Sequence, residues 1–281
     1  MPAMLTAHGI RLEFAPASGA VDEFRFWGSA WRGAMGHALK RHACLFDPRH
    51  SRCERCVLSD GCAYARLFPE STQPRARHGR VAPFTMFAEW TGGGMRVEVV
   101  LFGDAAAHWK GVAAKSLVDA GRRGVGGVRF AHLRTELLAP EREAPAGRWR
   151  VRMRSPLRCK ANGRLVGPSE ITPQVWFGAL VRRVLALGEA CGALPAARRL
   201  VDGARMPGWS GASWRWKELE RYSRRQKAPM RIGGLLGAFE VEADERLARL
   251  LAFGRWTHAG KLASMGLGRY EWEIEDQGGR A

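Results

Sequence analysis

Acid is what this sequence has too little of. Its 281 residues carry 45 Lys and Arg against 27 Asp and Glu, a formal charge of +18, and Arg supplies most of the excess. A surplus on that scale points to a polyanionic partner, of which nucleic acid is the commonest. The alternative is a solubilising charge excess, which also favours Arg over Lys. No window approaches the roughly 20 apolar residues that a membrane span needs. The opening MPAMLTAHGIRLEF lacks the basic and apolar regions of a secretory signal. We therefore expect a cytosolic protein with no membrane partner, its six cysteines reduced unless they bind metal. Two phosphate-binding motifs are missing as well. Gly266 and Gly268 follow a predicted helix and precede a predicted strand, the reverse of a dinucleotide fingerprint. Between Gly254 and Gly260-Lys261 lie five residues where a P-loop has four, and Leu262 stands where Ser or Thr would bind magnesium.

What is present is one pattern, twice. The length exceeds the usual single domain of roughly 100 to 200 residues, so two domains are expected. LTAHGIRLEF reads as a strand, and from Phe26 a helix places Trp27, Trp31, Ala34, Met35 and Ala38 on one face. After a Cys-rich loop, FTMFAEW and MRVEVVLFG flank Thr91-Gly92-Gly93-Gly94 as a hairpin. A second helix carries Trp109, Val112, Ala113, Leu117 and Ala120, and the strand VRFAHLRTELL closes the set. In the second half the strand is RWRVRMRSPLRCK, and Thr172-Pro173 opens a helix with Trp176, Leu180, Val184 and Leu187. WRWKELERYSRRQ and LLGAFEVEA follow as a strand pair, the first also readable as a helix. Asp244 caps a helix with Leu247, Leu250 and Leu251, and RYEWEIE ends the unit. The expected fold is α+β, two tandem ferredoxin-like βαββαβ domains. The first spans 1–140 with a Cys-rich insertion at 44–68, the second 148–281 with a glycine-rich loop at 260–268, and PEREAPAG has linker composition between them.

Two motifs carry candidate chemistry of their own. The loop HAGKLASMGLGRY offers free amides for an anion, flanked by Lys261 and Arg269; its other reading is a turn that needs glycine only for tight packing. Cys44, Cys53, Cys56 and Cys62, spaced C-x8-C-x2-C-x5-C, suit a structural tetrahedral zinc, with an iron-sulfur cluster or four unliganded thiols as alternatives. Four thiolates leave no open position for catalysis. Cys159 and Cys191 read as core residues.

The ending HAGKLASMGLGRYEWE, the upstream RYSRRQ and GGLLGAF, and the N-terminal WRGAMGHALKRHAC with CERCVLSDGCAYARLF together resemble the CRISPR-associated endoribonucleases of the RAMP superfamily, which process precursor CRISPR RNA. The resemblance covers both halves in order. It implies two ferredoxin-like domains, binding of repeat RNA, and cleavage with no metal or other catalytic cofactor; the repeat expected as partner here is one with a hairpin. It also implies that the product stays bound and is handed to, or joins, the other subunits of an effector complex, and that the closing loop lies against the RNA backbone.

Metal-free RNA cleavage needs a base, an acid and cations around the phosphorane. The resemblance places the general acid or base on the first helix or just after it. There Gly33, Gly36, His37 and Lys40 share the side opposite the Trp face, which makes His37 the first candidate and His42 the second, with Lys40 and Arg41 one turn on. Should neither histidine act, Arg25, Arg32 and Arg41 are the candidates for fixing the in-line geometry. His258 matches the family's His-x-Gly-Lys and joins Lys261, Gly266, Gly268 and Arg269 as an expected RNA contact. Further contacts are expected from Arg150, Arg152 and Arg154 on an alternating strand, and from Arg215, Arg221, Arg224, Arg225 and Lys227 interleaved with Trp214, Trp216 and Tyr222. Solvated strand face and core tryptophan are the plainer readings of both. His8, His50, His78, His108 and His132 have no supporting constellation. Two rival functions are a RAMP subunit that binds guide RNA without cutting it, and a zinc-module protein that reads DNA.

Overall fold

The structure is a computed structural model and describes residues 5–46, 53–69, 81–141, 143–223 and 228–274. The first half runs β1 (Ala7–Ser18), α1 (Trp27–Ala43), α2 (Ala63–Leu67), β2 (Phe84–Trp90), β3 (Met95–Phe102), α3 (Asp104–Arg123) and β4 (Arg129–Leu138). The second runs β5 (Gly147–Met153), a two-residue pair β6 (Lys160–Ala161) and β7 (Arg164–Leu165), α4 (Pro173–Ala190), α5 (Leu194–Val201), β8 (Ser210–Ser223), β9 (Ala228–Ala243), α6 (Glu245–Thr257) and β10 (Tyr270–Ile274). The two four-stranded antiparallel sheets have orders β2-β3-β1-β4 and β10-β5-β9-β8. Numbered within each half, both follow the ferredoxin-like arrangement in which the first and third strands are central.

Local chemistry sets the boundaries. Thr172 accepts a hydrogen bond from the Val175 amide at 3.2 Å with Pro173 in the first turn, and Asp244 accepts from the Leu247 amide at 2.8 Å, so α4 and α6 start where the sequence predicts. Thr91 and Gly94 close the β2–β3 hairpin, with Gly92 at φ 83°. Trp176, Leu180, Val184 and Leu187 of α4 are all fully buried against the second sheet. The same holds for Trp31 and Met35 of α1 against the first. β8 is a strand throughout, which settles its ambiguous reading. It pairs with β9 as far as Ala228, ten residues beyond Ala238 where β9 leaves β5, so roughly 33 Å of hairpin extends past β5. Among the described residues no helix is long and apolar enough to cross a membrane.

The halves are joined by buried polar contacts as well as apolar ones. Thr85 Oγ1 donates to the Trp256 carbonyl at 2.8 Å. Arg183 of α4 is buried and donates to the carbonyls of Thr257 at 3.0 Å and Phe84 at 3.4 Å. Burial pushes its pKa down to about 10, which leaves it charged near neutrality. Val100 and Phe102 of β3 lie in the same core as Trp176 and Phe253.

Candidate nucleic-acid interface

A cleft of about 1230 Å³ separates α1 from the projecting β8–β9 hairpin. Its α1 wall carries Arg32, Gly33 and His37, its rim Arg25 and Gly126, and its far wall Lys217 and Arg221 with Met265 of the closing loop. His37 lines it because the helical repeat that buries Trp31, Met35 and Ala38 turns residues 33 and 37 outward. Of the described histidines, His37 alone reaches this cleft.

Three arginines from separate parts of the chain meet there. Arg25 donates to the Gly126 carbonyl and lies over the Trp27 ring. Arg32 donates through Nε to Ser264 Oγ at 3.2 Å and lies 5.0 Å above the Phe68 ring. Arg221 faces the sulfurs of Met265 and Met230 at 3.6 and 3.5 Å, while its buried Nε has no hydrogen-bond partner. Burial, and after it the charge of Arg32, lowers the Arg221 pKa. Two like charges facing each other across a cleft, one with an unsatisfied donor, make an arrangement that an anion can bridge, beside the carboxylates of Asp22, Glu218 and Glu220 on the same lining.

Other predicted residues lie elsewhere. Arg41 pairs with Asp119 of α3 at 2.9 Å and His42 approaches the same carboxylate at 3.6 Å, so both pin α1 to α3 away from the cleft. Lys40 lies 5.8 Å over the Tyr64 ring, facing the Cys-rich loop. Gly36 is buried under Phe68, where an added Cβ would come within 3.0 Å of the ring, and so does not share the open face of Gly33 and His37.

The closing loop corrects a further expectation. His258, Gly266, Gly268 and Arg269 are buried and present no surface to RNA. His258 Nδ1 lies 3.1 Å from the Leu267 carbonyl, which can only accept, so Nδ1 carries the proton. Burial, then the charges of Arg269 and Arg183, holds its pKa well below the ordinary histidine value and keeps it neutral. Arg269 pairs with Glu98 of β3 at 3.3 Å, and Glu98 also holds Arg11 at 2.7 Å. Gly266, at φ 100°, packs on the Met86 carbonyl and Gly28 Cα; a Cβ on Gly28 would strike the Met265 carbonyl. These glycines let the loop lie against α1 and β2. Lys261 is the exposed cation of the loop.

β5 alternates as predicted, with Trp149, Val151 and Met153 buried and Arg150, Arg152 and Arg154 exposed. Its neighbours answer that face with acid. Arg150 stands opposite Glu240 and Glu273, and Arg152 opposite Glu271. Arg148 pairs with Glu240 at 2.6 Å, and Arg154 reaches Glu89 at 3.1 Å. On β8, Arg215 and Lys217 are exposed, Trp216 is 37% exposed, and Trp214 is half-buried against Phe239. Arg224, Arg225, Lys227, His50 and His78 lie outside the described residues. Among the described residues no three His, Cys, Asp or Glu side chains are gathered as metal ligands, yet the four loop cysteines line one cavity. Sequence reasoning missed Ser264, Phe68 and Gly126, which hold the cleft arginines; the polar Ser264 inside a glycine loop was the available signal.

Residues 8–156 match a family model described as the AF_1859_N N-terminal domain, and residues 151–270 match that of the CRISPR-associated endoribonuclease Cas6. Thermus thermophilus Cas6 is 14% identical with a TM-score of 0.53, the match covering 96% of this chain and 100% of that one. A Cas6 product complex aligns at 15% identity and TM-score 0.55, over 96% of this chain and 100% of the other. A Cas6 substrate mimic complex aligns at 16% and 0.52, over 95% and 99%. At such identities the likeness is one of fold. No curated protein sequence matches the chain. The twinned sheets and the match of the second half together give the assignment: residues 151–270 belong to the Cas6 family of CRISPR-associated endoribonucleases, and the whole chain shares the fold of solved Cas6 structures.

Proposed function

We propose that this protein binds CRISPR repeat RNA in the cleft between α1 and the β8–β9 hairpin and cuts it, without metal, at the 3' side of the repeat. The observation that carries this reading is the meeting of His37 and Arg32 from the first half with Arg221 from the second. Residues 1–140 and 148–281 act as the two domains that form the walls.

In the proposed reaction the ribose 2'-oxygen attacks the adjacent phosphorus while the bond from phosphorus to the 5'-oxygen breaks. His37 takes the 2'-hydroxyl proton, and the leaving oxygen takes one from solvent, to which the cleft is open. Arg32 and Arg221 hold the non-bridging oxygens and offset the charge of the phosphorane. Arg25 holds the neighbouring phosphate. Trp216, with Arg215 and Lys217, offers a stacking plane and phosphate ligands along the hairpin. The products are a 2',3'-cyclic phosphate and a 5'-hydroxyl, and the guide RNA stays bound for effector subunits.

The test is incubation with cognate repeat RNA in EDTA, comparing ordinary RNA with a substrate whose scissile 2'-hydroxyl is replaced by hydrogen. Cleavage of the first alone, with a cyclic phosphate end, is expected. Cleavage of the deoxy substrate would refute the mechanism, and tight binding with no cutting of either would make the protein a guide-RNA-binding subunit.

A further inference from the structure

Trp216 belongs to neither hydrophobic core. It stands opposite Leu235 of β9, and its diagonal neighbour on that strand is Gly233. Glycine inside a strand marks a close approach. A Cβ added to Gly233 would come within 2.2 to 2.4 Å of three indole atoms, so the ring lies over the glycine backbone. The indole Nε1 donates to Glu218 Oε2 at 2.8 Å, which fixes the rotation of the ring. Held at these two points, the side chain is still 37% exposed.

A cation meets the ring at the same glycine. Arg158, between β5 and β6, donates through Nη1 to the Gly233 carbonyl at 2.7 Å, and among the described residues no carboxylate is paired with it. Lys261 of the closing loop is tied to Arg158 in turn. Its amide donates to the Arg158 carbonyl at 2.8 Å, and its side chain is exposed. A fixed aromatic plane beside a guanidinium is the pairing by which proteins hold an unpaired nucleotide, base on ring and phosphate on cation.

From this juxtaposition we propose that Arg158 completes, with Trp216, a subsite for one unpaired nucleotide of the RNA. The base stacks on the open side of the indole, and its phosphate lies on Arg158, with Lys261 adding charge. Gly233 and Glu218 are positioning residues: the first gives the ring its seat and the second holds its angle. Arg221 lies five positions further along β8 than Trp216, about 17 Å of strand. The nucleotide is therefore a few positions from the phosphate that Arg221 holds, and its capture sets the register of the RNA in the cleft. The subsite rests on the function proposed above.

The test is a binding scan with repeat RNA whose scissile 2'-hydroxyl is replaced by hydrogen, carrying 2-aminopurine at one unpaired position at a time. The full chain should quench one position strongly. That quenching should vanish in Trp216→Leu and persist in Trp216→Phe. Trp216→Leu should also weaken binding roughly 5- to 100-fold; removing the base at the quenched position should cost the wild type as much and the variant nothing more. Arg158→Ala should lower the salt slope of binding by about one. Should Trp216→Leu fail to fold, Glu218→Ala, an exposed change, should reduce the quenching instead. Tight binding with no position quenched, or quenching that Trp216→Leu leaves in place, would overturn the subsite alone. No binding of repeat RNA would overturn the proposed function and the subsite with it.

Discussion

Arginine meets two fates in this molecule. On the outer face of β5, Arg148, Arg150, Arg152 and Arg154 stand in a row; glutamates of β9 and β10 stand opposite them in register, and Glu89 of β2 reaches Arg154 from the other sheet. There the Arg148 hydrogen bond is the main cause of the lowered Glu240 pKa. In the cleft, Arg25 and Arg221 are held by a backbone carbonyl and by thioether sulfurs, and Arg32 by a hydroxyl and a ring. Arg148 and Arg154 hold carboxylates that a phosphate would have to displace, and Arg150 and Arg152 stand opposite glutamates whose charge opposes one. In the cleft, Arg221 keeps a buried Nε donor without a hydrogen-bond partner. Counting cations therefore overstates the RNA-binding surface, and their partners decide which ones serve it.

The largest effect that would sharpen this contrast is at His37. His37→Ala should slow single-turnover cleavage by about 10² to 10⁴ while leaving RNA affinity nearly unchanged; a rate within a few fold of wild type would remove the histidine from the chemistry. Next comes Arg221→Ala. Loss of a charge-assisted contact worth about 1.5–3 kcal/mol should cut kcat/KM roughly 10- to 100-fold and lower the salt slope of binding by about one.

A third expectation separates buried from catalytic histidine. The folded pKa of His258 lies below its unfolded value, so the unfolded chain binds the extra proton as pH falls below about 6.5, and stability must fall with it. Denaturant melts from pH 7 down to 5 should lose up to about 1.4 kcal/mol per pH unit from this group. A His258→Asn variant that folds should lose less over the same range; identical pH slopes would contradict the neutral assignment. The smallest effect is at His42. His42→Ala should change cleavage by less than about 2-fold, since its salt link to Asp119 is a surface contact; a large loss would restore His42 to the site.

The elements themselves were legible from local signals. Thr172 and Asp244 cap the helices they were expected to cap, and the alternation of β5 is visible in RWRVRMR. The outward turn of His37 followed from the Trp27, Trp31 and Met35 stripe. What could not be read depends on pairing between distant segments. Glu240 and Glu273 stand opposite Arg150 only because β9 and β10 lie on either side of β5 in a particular register. Arg269 is buried against Phe87 of β2 and Glu98 of β3, His258 is tied to the Leu267 carbonyl, and Gly268 is closed in by Ala259 and the Pro156 carbonyl, far earlier in the chain. Gly36 looked open on a helical wheel because Phe68, 32 positions later, is invisible to it.

The most direct measurement is the Kd for repeat RNA, at one fixed salt concentration, of two double variants that each remove two positive charges: Arg32→Ala with Arg221→Ala, and Arg150→Ala with Arg152→Ala. The cleft pair should weaken binding by about 10- to 100-fold and the sheet pair by less than about 3-fold. Equal losses, or a larger loss from the sheet pair, would contradict the placement of RNA in the cleft.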